Sequence, residues 1–238
     1  MSEPPALKAA TIGGVASASA AAPDVVVFDF DGTLVTRDSF LDFALGYCLR
    51  RPARLLAVGL LLPLAMLLML RSRVAAGSLL LWAMTVGSST RAFAQALRSY
   101  ARSTLPRYAH EAMFAELARH VQTGKRVVIA TGSVPLLVRG LLAARQFGRL
   151  PIVGSRFQRR CGGLVVETHC TGRTKVQQLA RRLRIETWST VYTDSFADRS
   201  LLSGARDITL VCPSNRTLLR TQRMIAGETA LRVVSRVS

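Results

Sequence analysis

The segment from Leu55 to Leu70, LLAVGLLLPLAMLLML, runs for sixteen residues without a charged or hydrogen-bonding side chain. Arginines flank it on both sides: Arg50, Arg51, Arg54, Arg71 and Arg73. As a helix it would be about 24 Å long at ~1.5 Å per residue. That is shorter than the ~30 Å hydrocarbon core of a bilayer, and Pro63 further weakens a straight span. The segment therefore favours a helix that fills a protein core or lies on a membrane.

The composition of the chain indicates which kinds of molecule it binds and where it is located. The chain has 238 residues and a formal net charge of +18, which predicts attraction to phosphorylated substrates, acidic lipid surfaces or nucleic acid. Its mean hydropathy of +0.28 is high for a protein that lives wholly in water. The four cysteines are scattered and no histidine lies at metal-ligand spacing from them, so we expect a reducing compartment and no structural zinc. Residues 1–23 lack the features of a signal peptide and are predicted to form a disordered tail.

The rest of the chain divides where the hydrophobic pattern changes. The run VVVFDFDGT, residues 25–33, predicts a buried strand that breaks into a loop. Residues 39–123 have a helical pattern, whereas beyond 124 short apolar strands alternate with helices, with a hairpin around Cys161. We therefore predict an α/β fold, a Rossmann-like core with a mainly parallel sheet and helices on both faces. The predicted core is residues 24–38 and 124–238, and residues 39–123 form an all-helical insertion. The helices predicted in the insertion are Ser39–Leu49, Arg54–Leu70, Val74–Val86, Thr90–Ser103 and Pro106–Val121.

Polar residues follow three of the predicted strands. They are Asp29 and Asp31, then Thr131 and Gly132, then Asp194 and Asp198. Each alone could cap a helix or a turn, but ligands bind at the carboxyl ends of strands in open α/β sheets. Phosphoryl transfer needs a carboxylate nucleophile, a second acid for proton transfer, oxygen ligands for Mg²⁺, and hydroxyl, amide and cationic groups around the phosphate. The set matches these needs.

Four short motifs give this pattern a family resemblance. DFDGTL, ATGS, the lysine of GRTKVQQL and YTDSFAD resemble, in order and separation, the motifs of haloacid dehalogenase superfamily phosphatases. The resemblance implies that Asp29 is the nucleophile and Asp31 the general acid and base. It also implies that Thr131 and Gly132 bind the phosphoryl group while Lys175 balances its charge. A lysine on a solvated helix face is the alternative interpretation of Lys175.

The same resemblance implies a magnesium site and a cap. Asp29, the backbone carbonyl of Asp31 and Asp194 would ligate Mg²⁺, and Asp198 would support the metal directly or through water. The helical insertion resembles the C1-type cap of the phosphoserine phosphatase-like branch, subfamily IB. Closure of such a cap would exclude water and set specificity.

The position of the site residues also constrains the apolar segment. Asp29 and Asp31 precede it, whereas Lys175 and the other site residues follow it, so a single membrane crossing would separate the parts of one site. A return crossing through residues 74–86 would carry Arg71 and Arg73 across the bilayer. We therefore expect segment 55–70 to lie on the membrane rather than fill the core of the cap, with its flanking arginines at lipid phosphates.

A second, narrower resemblance concerns the substrate. From Val25 to Arg220 the chain is similar to the phosphatidylglycerophosphatase C branch, in the Arg-flanked apolar segment and in SLLLWAMTVGSS, TGSVPLLV, FQRRCGG, CTGRTKVQQL and YTDSFADRSLL. It implies Mg²⁺-dependent hydrolysis of phosphatidylglycerophosphate to phosphatidylglycerol on the cytoplasmic face of the inner membrane. The expected partners are a phosphorylated lipid and an anionic membrane surface, with no nucleic acid and no protein partner.

Two alternatives stay open at this point. One is a phosphatase for a small soluble phosphomonoester such as phosphoserine, which would not need the apolar segment. The other is a non-catalytic basic module that binds membrane or nucleic acid, which the net charge of +18 supports. The sequence shows no aromatic–basic interleaving and no helix-turn-helix pattern, and an inert module would not need both acids of DFDGT.

Overall fold

A six-stranded parallel sheet lies at the centre of the protein. The computed structural model describes residues 24–225 and 229–235, so the predicted tail, residues 1–23, lies outside the described residues. The strands are β1 (Val25–Phe28), β2 (Arg126–Ala130), β3 (Ile152–Val153), β4 (Arg156–Arg160), β5 (Gly163–Thr168), β6 (Thr190–Thr193), β7 (Asp207–Val211) and β8 (Ala230–Val234). The sheet order is β3-β2-β1-β6-β7-β8, and β4 and β5 form a separate antiparallel hairpin.

Helices flank the sheet and fill the insertion between β1 and β2. They are α1 (Ser39–Leu49), α2 (Pro52–Met69), α3 (Arg73–Thr85), α4 (Thr90–Ser103), α5 (Glu111–Gln122), α6 (Pro135–Ala144), α7 (Arg173–Leu183), α8 (Arg199–Leu202) and α9 (Asn215–Met224). The predicted fold class, an α/β fold with a mainly parallel sheet, is therefore confirmed. The hairpin around Cys161 is present as β4 and β5.

Strand β1 is buried on both faces of the sheet, because an apolar layer packs against each face. All four of its residues are buried, and successive side chains of a strand point to opposite faces. Val26 and Phe28 belong to one apolar cluster, with Leu141 of α6. Val27 belongs to a second cluster, with Leu179 of α7. A continuous β-branched run is thus the pattern of a central strand between two helical layers.

Two parts of the fold differ from the sequence prediction. The helix predicted for Pro106–Val121 is wrong at its start: residues 105–108 form a 3-10 turn, and α5 begins only at Glu111. Between them, Ala109 is extended and forms a bridge with Val35, which takes this backbone out of the helix. The second difference is β8, which extends the sheet beside β7 and which the short run ALRVV did not indicate.

Helices α3 and α4 of the insertion both pack against the core. Helix α3 packs on the hairpin, where Trp82 Nε1 donates a 2.9 Å hydrogen bond to the Cys161 carbonyl and the Thr85 hydroxyl accepts one of 2.8 Å from the Leu164 amide. Helix α4 packs on α6, and a Cβ built on Gly140 would lie only 2.5 Å from the Cβ of Ala101. These contacts hold α3 against the hairpin and α4 against α6.

Helix α2 contains the long apolar segment and is almost entirely exposed. Only Ala65 among its residues is buried, and Leu60 is 72% exposed. Of the described helices, α2 alone is long and apolar enough to cross a membrane, judged by length and composition only. We call the exposed large apolar side chains of α1, of α2 and of the residue that follows α2 the apolar surface: Leu41, Leu45, Leu49, Leu55, Leu56, Leu60, Leu62, Leu64, Met66, Leu67, Met69 and Leu70. The segment therefore does not fill the core of the insertion.

The close approach of α4 and α6 predicts the effect of one added methyl group. We expect Gly140→Ala to lower the free energy of unfolding by about 1–3 kcal/mol, because the new Cβ would force the two helices apart. Gly46→Ala in α1 is the matched control. No atom lies within 4 Å of its new Cβ, so the higher helix propensity of alanine should stabilise by up to about 1 kcal/mol. Urea unfolding followed by circular dichroism measures both, and equal effects would contradict the packing described.

Candidate active site

The polar residues predicted from the strand ends meet along one edge of the sheet. Asp29 directly follows β1, Thr131 follows β2 and Asp194 follows β6, and these strands are neighbours. The Asp29 amide donates a 2.9 Å hydrogen bond to the Tyr192 carbonyl, which continues the ladder to the point where the site begins. A cleft of about 400 Å³ opens there, and its lining includes Asp29, Asp31, Gly132, Lys175 and Asp198.

Lys175 is the charged centre of the cleft. It lies in the first turn of α7 and is 2% exposed, so the interpretation as a solvated surface lysine is wrong. Its Nζ is 2.9 Å from Asp29 Oδ1 and 2.7 Å from Asp198 Oδ2. Burial alone would lower the pKa of Lys175, but the two carboxylates outweigh it and the pKa is raised. The ammonium is therefore held in its charged form.

Asp29 is buried with one oxygen held in place. Its Oδ1 accepts a 2.7 Å hydrogen bond from the Phe30 amide and faces Lys175. Burial raises the pKa of Asp29, while the Lys175 ammonium acts in the opposite direction. Both contacts fall on Oδ1, so Oδ2 is the oxygen available to attack a substrate.

Asp31 is tied to the insertion. Its Oδ1 accepts a 2.8 Å hydrogen bond from the amide of Ser39, the first residue of α1. Burial raises the pKa of Asp31 to about 6, although the hydrogen bonds from Ser39 act to lower it. A carboxyl group with this pKa exists in both protonation states near neutral pH, as a group that donates and then accepts a proton requires.

The loop after β2 forms the opposite wall of the cleft. Gly132 and Ser133 line it, whereas the fully buried Thr131 is not among the lining residues and instead accepts a 2.9 Å hydrogen bond from the Ser133 amide. Ser155 Oγ donates to the Gly132 carbonyl at 2.6 Å. Thr131 therefore stabilises the conformation of the loop, while Gly132 and Ser133 form the part of the loop that lines the cleft.

Several residues of the site carried no role in the sequence prediction. Thr193 donates a 3.0 Å hydrogen bond to Asp198 Oδ2, and a hydroxyl one residue before Asp194 at the end of a buried strand was an available signal. Ser133 Oγ shares a 2.9 Å hydrogen bond with Ser39 Oγ. His169 lines the cleft from the segment after the hairpin, and nothing in its local sequence indicates that position.

A family model described as haloacid dehalogenase-like hydrolase matches residues 26–203 of the 238-residue chain. The matched range includes each of the site residues described above. The chain belongs to the haloacid dehalogenase-like hydrolase family.

Solved structures agree on the fold. A protein of unknown function from Bordetella pertussis Tohama I is 19% identical with a TM-score of 0.66, and the match covers 90% of this chain and 99% of that one. A phosphoserine phosphohydrolase-like protein from Francisella tularensis subsp. tularensis SCHU S4 is 15% identical, with a TM-score of 0.56 and coverage of 83% and 92%. A phosphoserine phosphatase in its apo form is 15% identical, with a TM-score of 0.57 and coverage of 90% and 94%. At identities this low, the comparisons show that the proteins share a fold.

The donor atoms of this haloacid dehalogenase-like hydrolase fit the Mg²⁺ that its family implies. A Cβ built on Gly32, whose φ is +75°, would overlap the Asp194 carboxylate, so this carboxylate lies directly against the loop that carries Asp29 and Asp31. Burial raises the pKa of Asp194 to about 6. Within residues 24–225 and 229–235, no three Asp, Glu, His or Cys side chains gather as a ready-made metal cluster. Mg²⁺ does not need one, since it keeps several waters and uses one or two carboxylates.

The ligands would be Asp29, Asp194 and the carbonyl of Asp31, all of them oxygen donors. The Asp198 carboxylate already contacts Lys175 and Thr193. This favours support of the metal through water over direct ligation by Asp198.

The burial of Lys175 predicts a large effect of removing its charge. We expect Lys175→Met to lower the free energy of unfolding by about 3–5 kcal/mol, because it leaves the Asp29 and Asp198 carboxylates buried without their partner. Lys125→Met is the matched control: Lys125 pairs with Asp24 at 2.8 Å on the surface, with 30% of its side chain exposed. Loss of this surface ion pair should lower the free energy of unfolding by less than about 1 kcal/mol. Urea unfolding of both variants without divalent cations measures the difference, and similar costs would show that the buried cluster is not held by Lys175.

Proposed function

We propose that this hydrolase is a Mg²⁺-dependent phosphomonoesterase that works through an aspartyl-phosphate on Asp29. The observation that carries the proposal is the buried cluster in which Lys175 lies between Asp29 and Asp198, 2.9 Å and 2.7 Å away. A fixed cation beside a carboxylate nucleophile offsets the negative charge of an approaching phosphate. Asp31, whose pKa burial raises to about 6, supplies the second acid that the reaction requires.

The reaction has two displacements at phosphorus. Asp29 Oδ2 forms a bond to phosphorus while the bond to the leaving alcohol oxygen breaks and Asp31 gives that oxygen a proton. Asp31, now ionised, takes a proton from water as the water oxygen bonds to phosphorus. The bond from phosphorus to Asp29 then breaks and releases inorganic phosphate. When bound by Asp29, Asp194 and the Asp31 carbonyl, Mg²⁺ would offset charge on the phosphate oxygens.

We propose a lipid substrate, phosphatidylglycerophosphate, which would be converted to phosphatidylglycerol. The first support is the continuity between site and apolar surface: α1 begins at Ser39, which binds Asp31, and carries the exposed Leu41, Leu45 and Leu49. A soluble-substrate enzyme has no need of such a surface. The protein would act on the cytoplasmic face of the inner membrane, with an anionic lipid surface as partner and without nucleic acid or a protein partner.

The second support is an apolar pocket of about 160 Å³ beside the catalytic cleft. It shares Phe40, Gly132 and His169 with that cleft. Its other walls come from α3 and the hairpin, and its apolar lining residues include Leu81, Val134, Phe157 and Val166. A pocket of this chemistry suits the apolar part of a lipid whose phosphate lies at Lys175.

The second candidate is a phosphatase for a small soluble phosphomonoester such as phosphoserine. It is favoured by the likeness of fold to the phosphoserine phosphatase in its apo form, at 15% identity and a TM-score of 0.57. The non-catalytic basic module, in contrast, is disfavoured by the buried charged cluster and by membership in a hydrolase family.

Phosphate release by the purified full chain in detergent micelles with Mg²⁺ tests the proposal. Phosphatidylglycerophosphate and phosphoserine are offered side by side, and we expect a strong preference for the lipid and loss of activity on chelation with EDTA. Asp29→Asn should lower turnover by about a thousandfold or more because it removes the nucleophile. The matched control, Asp24→Asn at the start of β1, should leave turnover unchanged. Activity on phosphoserine alone would retain the chemistry and reject the lipid substrate, and high activity of Asp29→Asn would reject the chemistry.

The apolar surface predicts how the protein binds membranes. Leu60→Asp should weaken sedimentation with lipid vesicles by about tenfold or more, because a buried leucine contributes about 1.5–3 kcal/mol and the added carboxylate opposes insertion. Val121→Asp, at an exposed position of α5, is the matched control and should bind like the unmodified protein. If both variants still sediment equally with vesicles, the attachment does not depend on α2.

A further inference from the structure

A third cavity lies beside the loop that carries Asp198. It has a volume of about 480 Å³ and is bounded by the starts of α7 and α9 and by residues 195–200. Four arginines line it, and we call them the arginine cluster: Arg173, Arg199, Arg216 and Arg220. Ser195 and Ala197 line both this cavity and the catalytic cleft, so the two share a wall.

The arginine cluster has no acidic counterpart. No Asp or Glu is among the described residues that line the cavity, and none of the four guanidinium groups forms an ion pair with a carboxylate there. Arg220 instead lies over the ring of Phe196, at 5.8 Å from its centroid. Other arginines of the protein are paired, such as Arg145 with Glu111 at 2.5 Å and Arg232 with Glu116 at 2.6 Å. All four arginines are exposed, and an anion bound between them would reduce the repulsion among their like charges.

The neutral groups of the cavity suit the same kind of ligand. The hydroxyls of Ser195, Ser200 and Thr217 add hydrogen-bonding groups to its wall. Gly172, the N-cap of the eleven-residue helix α7, makes no side-chain cap hydrogen bond and is among the residues that line this cavity. Planar guanidinium groups bind phosphate oxygens in pairs, which a compact ammonium cannot do. The chemistry of the cavity is therefore that of a phosphate-binding site.

We propose that the arginine cluster binds a phosphate group at a site separate from the catalytic one. The group comes either from the headgroup of an anionic phospholipid or from a free oligophosphate. Because Ser195 and Ala197 belong to both walls, the bound anion would rest against the loop that leads to Asp198, the partner of Lys175. This inference does not rest on the proposed substrate, since it concerns residues that take no part in the hydrolysis.

Two probes and three double variants test the site with the full chain in the absence of divalent cations. The probes are inorganic pyrophosphate, followed by titration calorimetry in neutral detergent, and detergent-free vesicles of phosphatidylcholine with or without one quarter phosphatidylglycerol, followed by sedimentation. R216Q/R220Q removes two charges from the cavity. R181Q/R182Q removes two charges from the exposed last turn of α7 and is the matched control. Unchanged thermal unfolding shows that both variants are folded, and R173Q/R199Q repeats the test from the other side of the cavity.

We expect R216Q/R220Q to lower the affinity for at least one probe by about tenfold, and R181Q/R182Q to lower it by less than about threefold. Loss with pyrophosphate would identify a free oligophosphate as ligand. Loss confined to vesicles that contain phosphatidylglycerol would identify a lipid headgroup. Equal losses in the two variants with both probes would overturn the proposal, because binding would then follow net charge and not the cavity.

Discussion

The ion pairs of Lys175 are the interaction on which the rest of the site depends. A lysine and two aspartates are removed from water at one point, which costs several kcal/mol per ion unless each charge meets its partner. The partners come from three elements: Asp29 from the end of β1, Asp198 from the loop after β6, and Lys175 from α7. The strand order that makes β1 and β6 neighbours is therefore a condition for burying these charges.

The first residue of the insertion, Ser39, contacts the candidate active site directly. Ser39 is both the start of α1 and the donor to Asp31, and its hydroxyl shares a hydrogen bond with the hydroxyl of Ser133, which lines the cleft. The cap-like part of the molecule is thus not an independent body placed over a finished site. Asp31, Ser39 and the exposed leucines of α1 and α2 lie along one continuous piece of chain, which links the candidate active site to the apolar surface.

Local patterns predicted the strand run VVVF, the bounds of α1 and α4, and the parallel sheet, since each follows from periodicity within a few residues. What they could not predict depends on contacts between distant residues. The bridge from Ala109 to Val35 breaks a helix that its own residues favour, and β8 exists because β7 offers it an edge. In the site, the residue types were identifiable from sequence, but the engagement of Asp198 by Lys175 and the hydrogen bond that turns Thr131 toward the Ser133 amide required the fold.

Gly32 shows how much can depend on the absence of one carbon atom. Its positive φ already disfavours every other residue, and the space that a Cβ would occupy is filled by the Asp194 carboxylate. Two independent penalties therefore fall on any replacement, one from the backbone and one from the opposing side chain. Any side chain at position 32 would therefore displace a carboxylate expected to hold Mg²⁺, so the loop and its opposing ligand are fitted to each other through the space that Gly32 leaves open.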